Sequence, residues 1–246
     1  MNQLKSQYKT LSHLNLIFII DAHLTKDLKS IYLITEFAQN KNNLDTKIRY
    51  HRIKQTPIDS NLILKWFYQT LSAIYYLHFN GILHANIKPS NFLLVSNDHI
   101  KLTDFGYLNL YFTILNEKSA YVAKLTKNNI GYLPKESVLF NEYTEYSDLY
   151  SIGAVFYELL FLTPYDWSNE LLKSNLWIGF RSEENFGLLL ASMLSNEDTA
   201  RPNSLISLDF FNWDRSFRIL KNIIDQKGKF FICPTSIKNN MLRVIP

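Results

Sequence analysis

The chain has 246 residues, 47% of them apolar, with 17 Phe, 15 Tyr and 4 Trp, enough large side chains for a substantial core and too many for a disordered tail. Its 26 basic and 22 acidic residues leave a formal charge of +4, too mild a bias for a nucleic-acid-binding surface. Cys233 is the single cysteine, which excludes an internal disulfide and a four-cysteine metal site.

In chain order, Leu14 to Ile20 and Ser30 to Glu36 are short β-branched or aromatic runs separated by the polar stretch Asp21 to Lys29, and they predict a hairpin. Asn40 to Ile58 is polar and broken by Asn42-Asn43 and Pro57, which predicts a connector with one short helix. Between Asn61 and Phe79 the residues Ile63, Phe67, Leu71, Ile74 and Leu77 recur at helical steps, with Ser60 as N-cap and Gly81 just past the end. Phe92 to Val95 and Ile100 to Leu102 predict two short strands joined by Ser96-Asn97-Asp98-His99, a turn by its chemistry. Asp148 to Leu162, apolar on most sides, predicts a central buried helix. Phe186 to Leu194 and Ser204 to Phe211 predict two further short helices, the second started by Arg201-Pro202. After Arg215 the chain carries Arg218, Lys221, Lys227, Lys229, Lys238 and Arg243 against Asp225, a basic extension that reads as a solvated tail, the alternative being a docking surface for acidic partners.

The chemistry-bearing residues cluster after the helix that ends at Phe79. The loop His84-Ala85-Asn86-Ile87-Lys88-Pro89-Ser90-Asn91 precedes the short hairpin, and Asp104-Phe105-Gly106 follows it. Further on come Gly131-Tyr132-Leu133-Pro134-Lys135-Glu136, Ser147-Asp148-Leu149-Tyr150-Ser151-Ile152-Gly153 and Asp198-Thr199-Ala200-Arg201-Pro202. In this order the segments resemble the landmarks of the eukaryotic-type protein kinase family, from the catalytic loop through the metal motif to the lower helices. The resemblance spans Leu11 to Phe211. It implies an α+β, protein-kinase-like fold: a mainly α-helical C-lobe with a remnant of the N-lobe β-sheet.

That resemblance implies a role for each matching residue. Lys88 corresponds to the phosphate-contacting lysine, and Asn91 and Asp104 to the two magnesium ligands. Thr35, Glu36 and Ala38 correspond to the gatekeeper and adenine hinge, and Leu93 to the floor beneath adenine. His84 and Phe105 would stack in the column linking the lobes, Glu136 would pair with Arg201, and Asp148 would accept backbone hydrogen bonds from the catalytic loop. These last five support the fold whether or not it catalyses anything.

Other positions depart from the pattern. Asn86 stands where the family has its catalytic aspartate, and an amide takes no proton near neutral pH. Ala85 replaces the arginine that grips a phosphorylated activation loop, Lys135 replaces a proline, and Asn128 or Asn129 replaces a threonine. Met1 to Leu11 reads as the first N-lobe helix, so the glycine-rich loop and strand lysine are expected to be missing, and Gln3 or Leu4 stands where the helix glutamate should fall. The expected organisation is an N-lobe remnant over 1–38, a kinase-like C-lobe over 39–213 and a basic extension over 214–246.

The expectation is therefore a pseudokinase acting as a protein-binding scaffold or as a structural or allosteric subunit. The rival is a weak or trans-complemented ATP-dependent Ser/Thr kinase. No cofactor is expected, with ATP and magnesium bound weakly if at all. The expected partner is another protein covering the exposed N-lobe face, with no nucleic acid and no membrane. The start lacks a signal-peptide pattern and the Leu14 to Ile20 run is too short to span a bilayer, so a soluble, cytoplasmic protein is expected.

Overall fold

The computed structural model describes residues 10–24, 31–38, 42–107, 129–166, 184–204 and 206–207. The helix expected over Met1 to Leu11 lies outside these residues except at its end, where Thr10 is helical and Leu11 is buried. The helix expected over Ser204 to Phe211 is described only at Ser204, Ile206 and Ser207, all helical, and the basic extension lies outside.

Strand β1 (Ile19–Leu24) pairs antiparallel with β2 (Ile31–Thr35), with an irregularity between Ile19 and Asp21. The first strand thus begins later than its sequence predicts and runs through Asp21 to Leu24, residues read as a polar separator. The reason is competition for the run Leu14 to Ile20. Its first half is taken by strand β4 (Ile100–Leu102): the Leu102 N–H donates to Asn15 O and the Ile17 N–H to Leu102 O, each at 2.8 Å. The polar residues of β1 are accommodated because Asp21 and His23 contact each other at 3.0 Å.

Strand β3 (Phe92–Leu94) pairs with β4 as expected. The two strands form the inner ply of a wider patch. Leu16 bridges Leu102 on one side, while on the other Asn43 bridges Leu93 and the Leu94 N–H donates to Asn42 O at 2.9 Å. Both chain crossings between the β1–β2 hairpin and the helical body are therefore fastened to this ply.

Helix α1 (Leu44–Lys54) starts at a reciprocal cap, in which Asn43 accepts from the Thr46 N–H and Thr46 Oγ1 accepts from the Asn43 N–H. Helix α2 (Ser60–Phe79) is capped by Asp59 rather than by Ser60, its carboxylate accepting from the Asn61 N–H at 2.9 Å. A carboxylate there also meets the positive end of the helix dipole. Gly81, at φ +69, turns the chain away after the C-terminus.

Helices α3 (Lys135–Phe140), α4 (Glu145–Phe161) and α5 (Glu184–Met193) complete the described body. Helix α4 begins at Glu145, ahead of the predicted Asp148, because Thr144 and Ser147 form a capping box. The core lies among α2, α4 and α5, where Phe67 meets Phe156 and Phe186 edge-on at centroid distances of 4.8 and 4.9 Å. Gly153 permits the close approach of the α5 end, since a Cβ there would sit 3.1 Å from Leu194 Cγ. No helix among the described residues is long and apolar enough to cross a membrane.

Candidate functional site

The loop after α2 alternates from residue to residue. Ala85, Ile87 and Pro89 are buried, whereas Asn86 and Lys88 between them are half-buried. Neighbouring side chains therefore divide between the core and a partly exposed side.

Asp148, fully buried at the first turn of α4, holds the rear of this loop. Its carboxylate accepts from the His84 N–H (2.8 Å) and the Ala85 N–H (2.9 Å), from Tyr143 Oη (2.7 Å) and from His78 Nε2 (2.9 Å). Burial alone would raise its pKa, but the His78 hydrogen bond and the other donors hold the carboxyl below the usual range. These bonds also keep Ala85 at φ +57, a left-handed conformation that a residue with a Cβ adopts at a cost.

His84 is completely buried, and neither ring nitrogen has a hydrogen-bond partner among the described residues. Burial lowers its pKa to about 4, so the ring is neutral. It meets Phe105 edge-on, with ring centroids 6.2 Å apart and planes at 62°. The Gly106 N–H donates to His84 O (3.2 Å) and the Thr103 N–H to Asn91 O (3.0 Å), tying the 103–106 segment to the loop.

The front of the loop is sparsely bonded. Asn129 Nδ2 donates to Asn86 Oδ1 at 2.9 Å, which selects Asn129 of the two candidates; Asn128 lies outside the described residues. Asn129 is itself buried, with its Oδ1 unpartnered among the described residues. Asn91 Nδ2 donates to Asn86 O at 2.7 Å. The Lys88 carbonyl accepts from the Asn91 N–H at 2.9 Å, while its ammonium has no hydrogen bond or ion pair among the described residues. Asp104 is exposed at φ +60, and among the described residues its carboxylate meets only Thr103 Oγ1, at 3.5 Å.

Glu136 and Arg201 lie side by side through a two-pronged contact of 2.5 and 3.2 Å. The guanidinium also donates to Ser195 O at 2.8 Å and lies 5.0 Å from the centre of the Tyr150 ring. Lys135 meets Glu197 at 3.3 Å on the surface. Of the adenine-site candidates, the gatekeeper position Thr35 is exposed, while Glu36 and Ala38 of the hinge and Leu93 of the floor are half-buried. The Glu36 carboxylate accepts from the Phe18 N–H at 2.8 Å and from Lys101 Nζ at 2.5 Å. Burial opposes ionisation there, yet these two donors keep its pKa below the ordinary value.

Sequence reasoning missed several of these partners. His78, Lys101 and the chain Arg52–Glu158–Tyr132 were not singled out, although Glu158 takes Arg52 Nη2 at 2.7 Å and Tyr132 Oη at 2.6 Å. The available signal was a polar side chain inside an apolar run, which marks a buried partner: His78 between Leu77 and Phe79, and Glu158 between Tyr157 and Leu159.

The family model for the protein kinase domain matches residues 5–210. The chain belongs to the protein kinase family. It is 30% identical over 204 residues to a probable serine/threonine-protein kinase nek2 of Dictyostelium discoideum, covering 78% of this chain and 47% of that protein. It is likewise 30% identical over 201 residues to the serine/threonine-protein kinase SIK2 of Gallus gallus, 78% of this chain and 24% of that one, and 33% identical over 140 residues to an Aurora kinase of Debaryomyces hansenii, 56% and 31%. The chain thus spans less than half the length of these kinases. Its mixture of a helical body with two small sheets is the α+β architecture of a protein kinase.

Proposed function

We propose that this kinase-family chain is impaired in phosphoryl transfer, a pseudokinase that works by binding other proteins as a scaffold or an allosteric subunit. The observation that carries this reading is the Asn129–Asn86 amide pair. An active loop needs a carboxylate at position 86 to accept the proton of the incoming hydroxyl. The amide there is not basic, and its oxygen is already engaged by Asn129 Nδ2. A positioned general base contributes about 10²–10⁴-fold, so its loss removes most of the rate of a modest kinase. Ala85 adds to the case, because a methyl group cannot hold a phosphorylated segment as an arginine would.

The candidate interaction surface is the β1–β2 hairpin, where Phe18, Ile20, Tyr32 and Ile34 are all exposed. A cluster of large apolar side chains in water favours burial by a partner.

A second reading is favoured by the Lys88 ammonium, which has no partner among the described residues, and by the exposed carboxylate of Asp104. Two oxygen donors, Asn91 Oδ1 and Asp104, and the Lys88 ammonium suit magnesium and a nucleotide phosphate by donor chemistry. Magnesium would supply neutralisation of phosphate charge. Lys88 would then orient a phosphate and Glu36 and Ala38 would present backbone groups to a base, giving a weak or trans-complemented Ser/Thr kinase.

The deciding experiment combines nucleotide binding with phosphotransfer. Thermal-shift titrations with ATP and ADP, with and without magnesium, use Asp104→Ala as control, and radiolabel transfer to a generic Ser/Thr substrate is compared between the natural chain and Asn86→Asp. Transfer that rises at least about 10²-fold in Asn86→Asp supports the first reading. Transfer by the natural chain equal to that of Asn86→Asp would sink it, and a magnesium-dependent shift lost in Asp104→Ala would establish the nucleotide site.

A further inference from the structure

We propose that Glu36 and Lys101 form a latch that fixes the β1–β2 hairpin on the helical body, with Lys101 the positioning residue for the segment Thr35 to Ala38. The inference rests on geometry alone and is independent of whether the chain transfers phosphate.

The two residues come from different sheets. Glu36 follows the last residue of β2, and Lys101 is the middle residue of β4. One Glu36 oxygen, Oε1, receives both Lys101 Nζ at 2.5 Å and the Phe18 N–H at 2.8 Å, while the Glu36 N–H donates to Phe18 O at 2.9 Å. Glu36 is thereby bound to the start of the hairpin by two backbone contacts and to the central ply by a charge. The neighbouring crossing is held to the same strand, since Ile17 and Asn15 bond both backbone groups of Leu102. Lys101 closes a ring that runs from β4 through residues 17 and 18, across to Glu36 and back to β4.

An ordinary surface ion pair contributes little, because two flexible side chains must be ordered in water. This one differs in two respects. The lysine side chain is only 20% exposed and the carboxylate 35%, and the carboxylate is already oriented by a backbone N–H. Ordering therefore costs less, and the contact is a charge-assisted hydrogen bond rather than a distant attraction. Without the ammonium, Glu36 Oε1 would be held by one backbone donor alone, and the chain leaving β2 would lose its direct tie to β4. The hairpin would then pivot on residues 15–17.

The test is amide hydrogen exchange on the full chain, read at Phe18 and Glu36, with amides near Leu77 in the buried middle of α2 as a gauge of global unfolding. Lys101→Met should speed exchange at Phe18 and Glu36 on the order of tenfold, the scale of one charge-assisted bond, while Leu77 stays protected. Lys101→Arg should restore protection, and Lys65→Met, which removes a peripheral contact to Asp98, should leave both amides unchanged. Should Lys101→Met fail to fold, the natural chain is read in low salt and at about 1 M salt, where screening should loosen the same two amides selectively. Unchanged protection at Phe18 and Glu36 in Lys101→Met, or in high salt where that variant does not fold, would overturn the latch.

Discussion

The rear and front of one eight-residue loop, His84 to Asn91, are built to different standards. At the rear a single buried carboxylate, Asp148, takes two backbone N–H groups, a phenol and an imidazole, and so dictates the backbone even at the strained Ala85. At the front, Asn86 shares one bond with Asn129, and the Lys88 ammonium has no partner among the described residues. The difference teaches that the shape of the loop and its chemistry are separable. The backbone bonds of the loop are made by Asp148, Asn91 and the 103–106 segment and none by the Asn86 side chain, so a substitution at 86 alters the chemistry of the loop without removing what holds it.

The sharpest break should come from the lower body that supports this rear. Arg201→Ala would leave Glu136 facing a buried void and cost about 3–5 kcal/mol, measured as loss of stability in urea. Asp148→Asn keeps the shape but removes one acceptor set, leaving buried donors unmatched, and should cost about 2–3 kcal/mol by the same measurement.

Acid sharpens the comparison from another direction. His84 and His13, both depressed from an ordinary pKa near 6.5 to about 4 chiefly by burial, stay neutral in the folded chain while the unfolded chain takes up protons. Stability should therefore fall as pH drops from about 6.5 to about 4, by on the order of 3 kcal/mol per histidine at most. His84→Gln should remove its share of that slope in thermal melts taken across the window. The smallest effect belongs to the front: Lys88→Ala should change stability by less than about 0.5 kcal/mol, because the ammonium has no partner among the described residues.

Much of the body could be read in advance because it follows one rule at a time. The α2 periodicity, the β3–β4 turn and the apolar α4 each announce a single element through local spacing. The hairpin at the other end was misplaced because Leu14 to Ile20 serves two masters, its first residues pairing with β4 and its last with β2. No local pattern reveals a pairing between Ile17 and Leu102. The same holds in the site. Asn86, Asp104 and Glu136 were visible through motif order, whereas Lys101, His78 and Arg52 act through partners distant in sequence, and only their place in three dimensions gives them a role.

The β3–β4 ply has one further consequence. Its strands are three residues long, yet each outer edge is already occupied, β4 by Leu16 and Ile17 and β3 by Asn42 and Asn43. Open strand edges are where foreign chains add themselves and aggregation starts. By running its own two crossings along those edges, the chain seals a short, apolar hairpin that would otherwise be sticky.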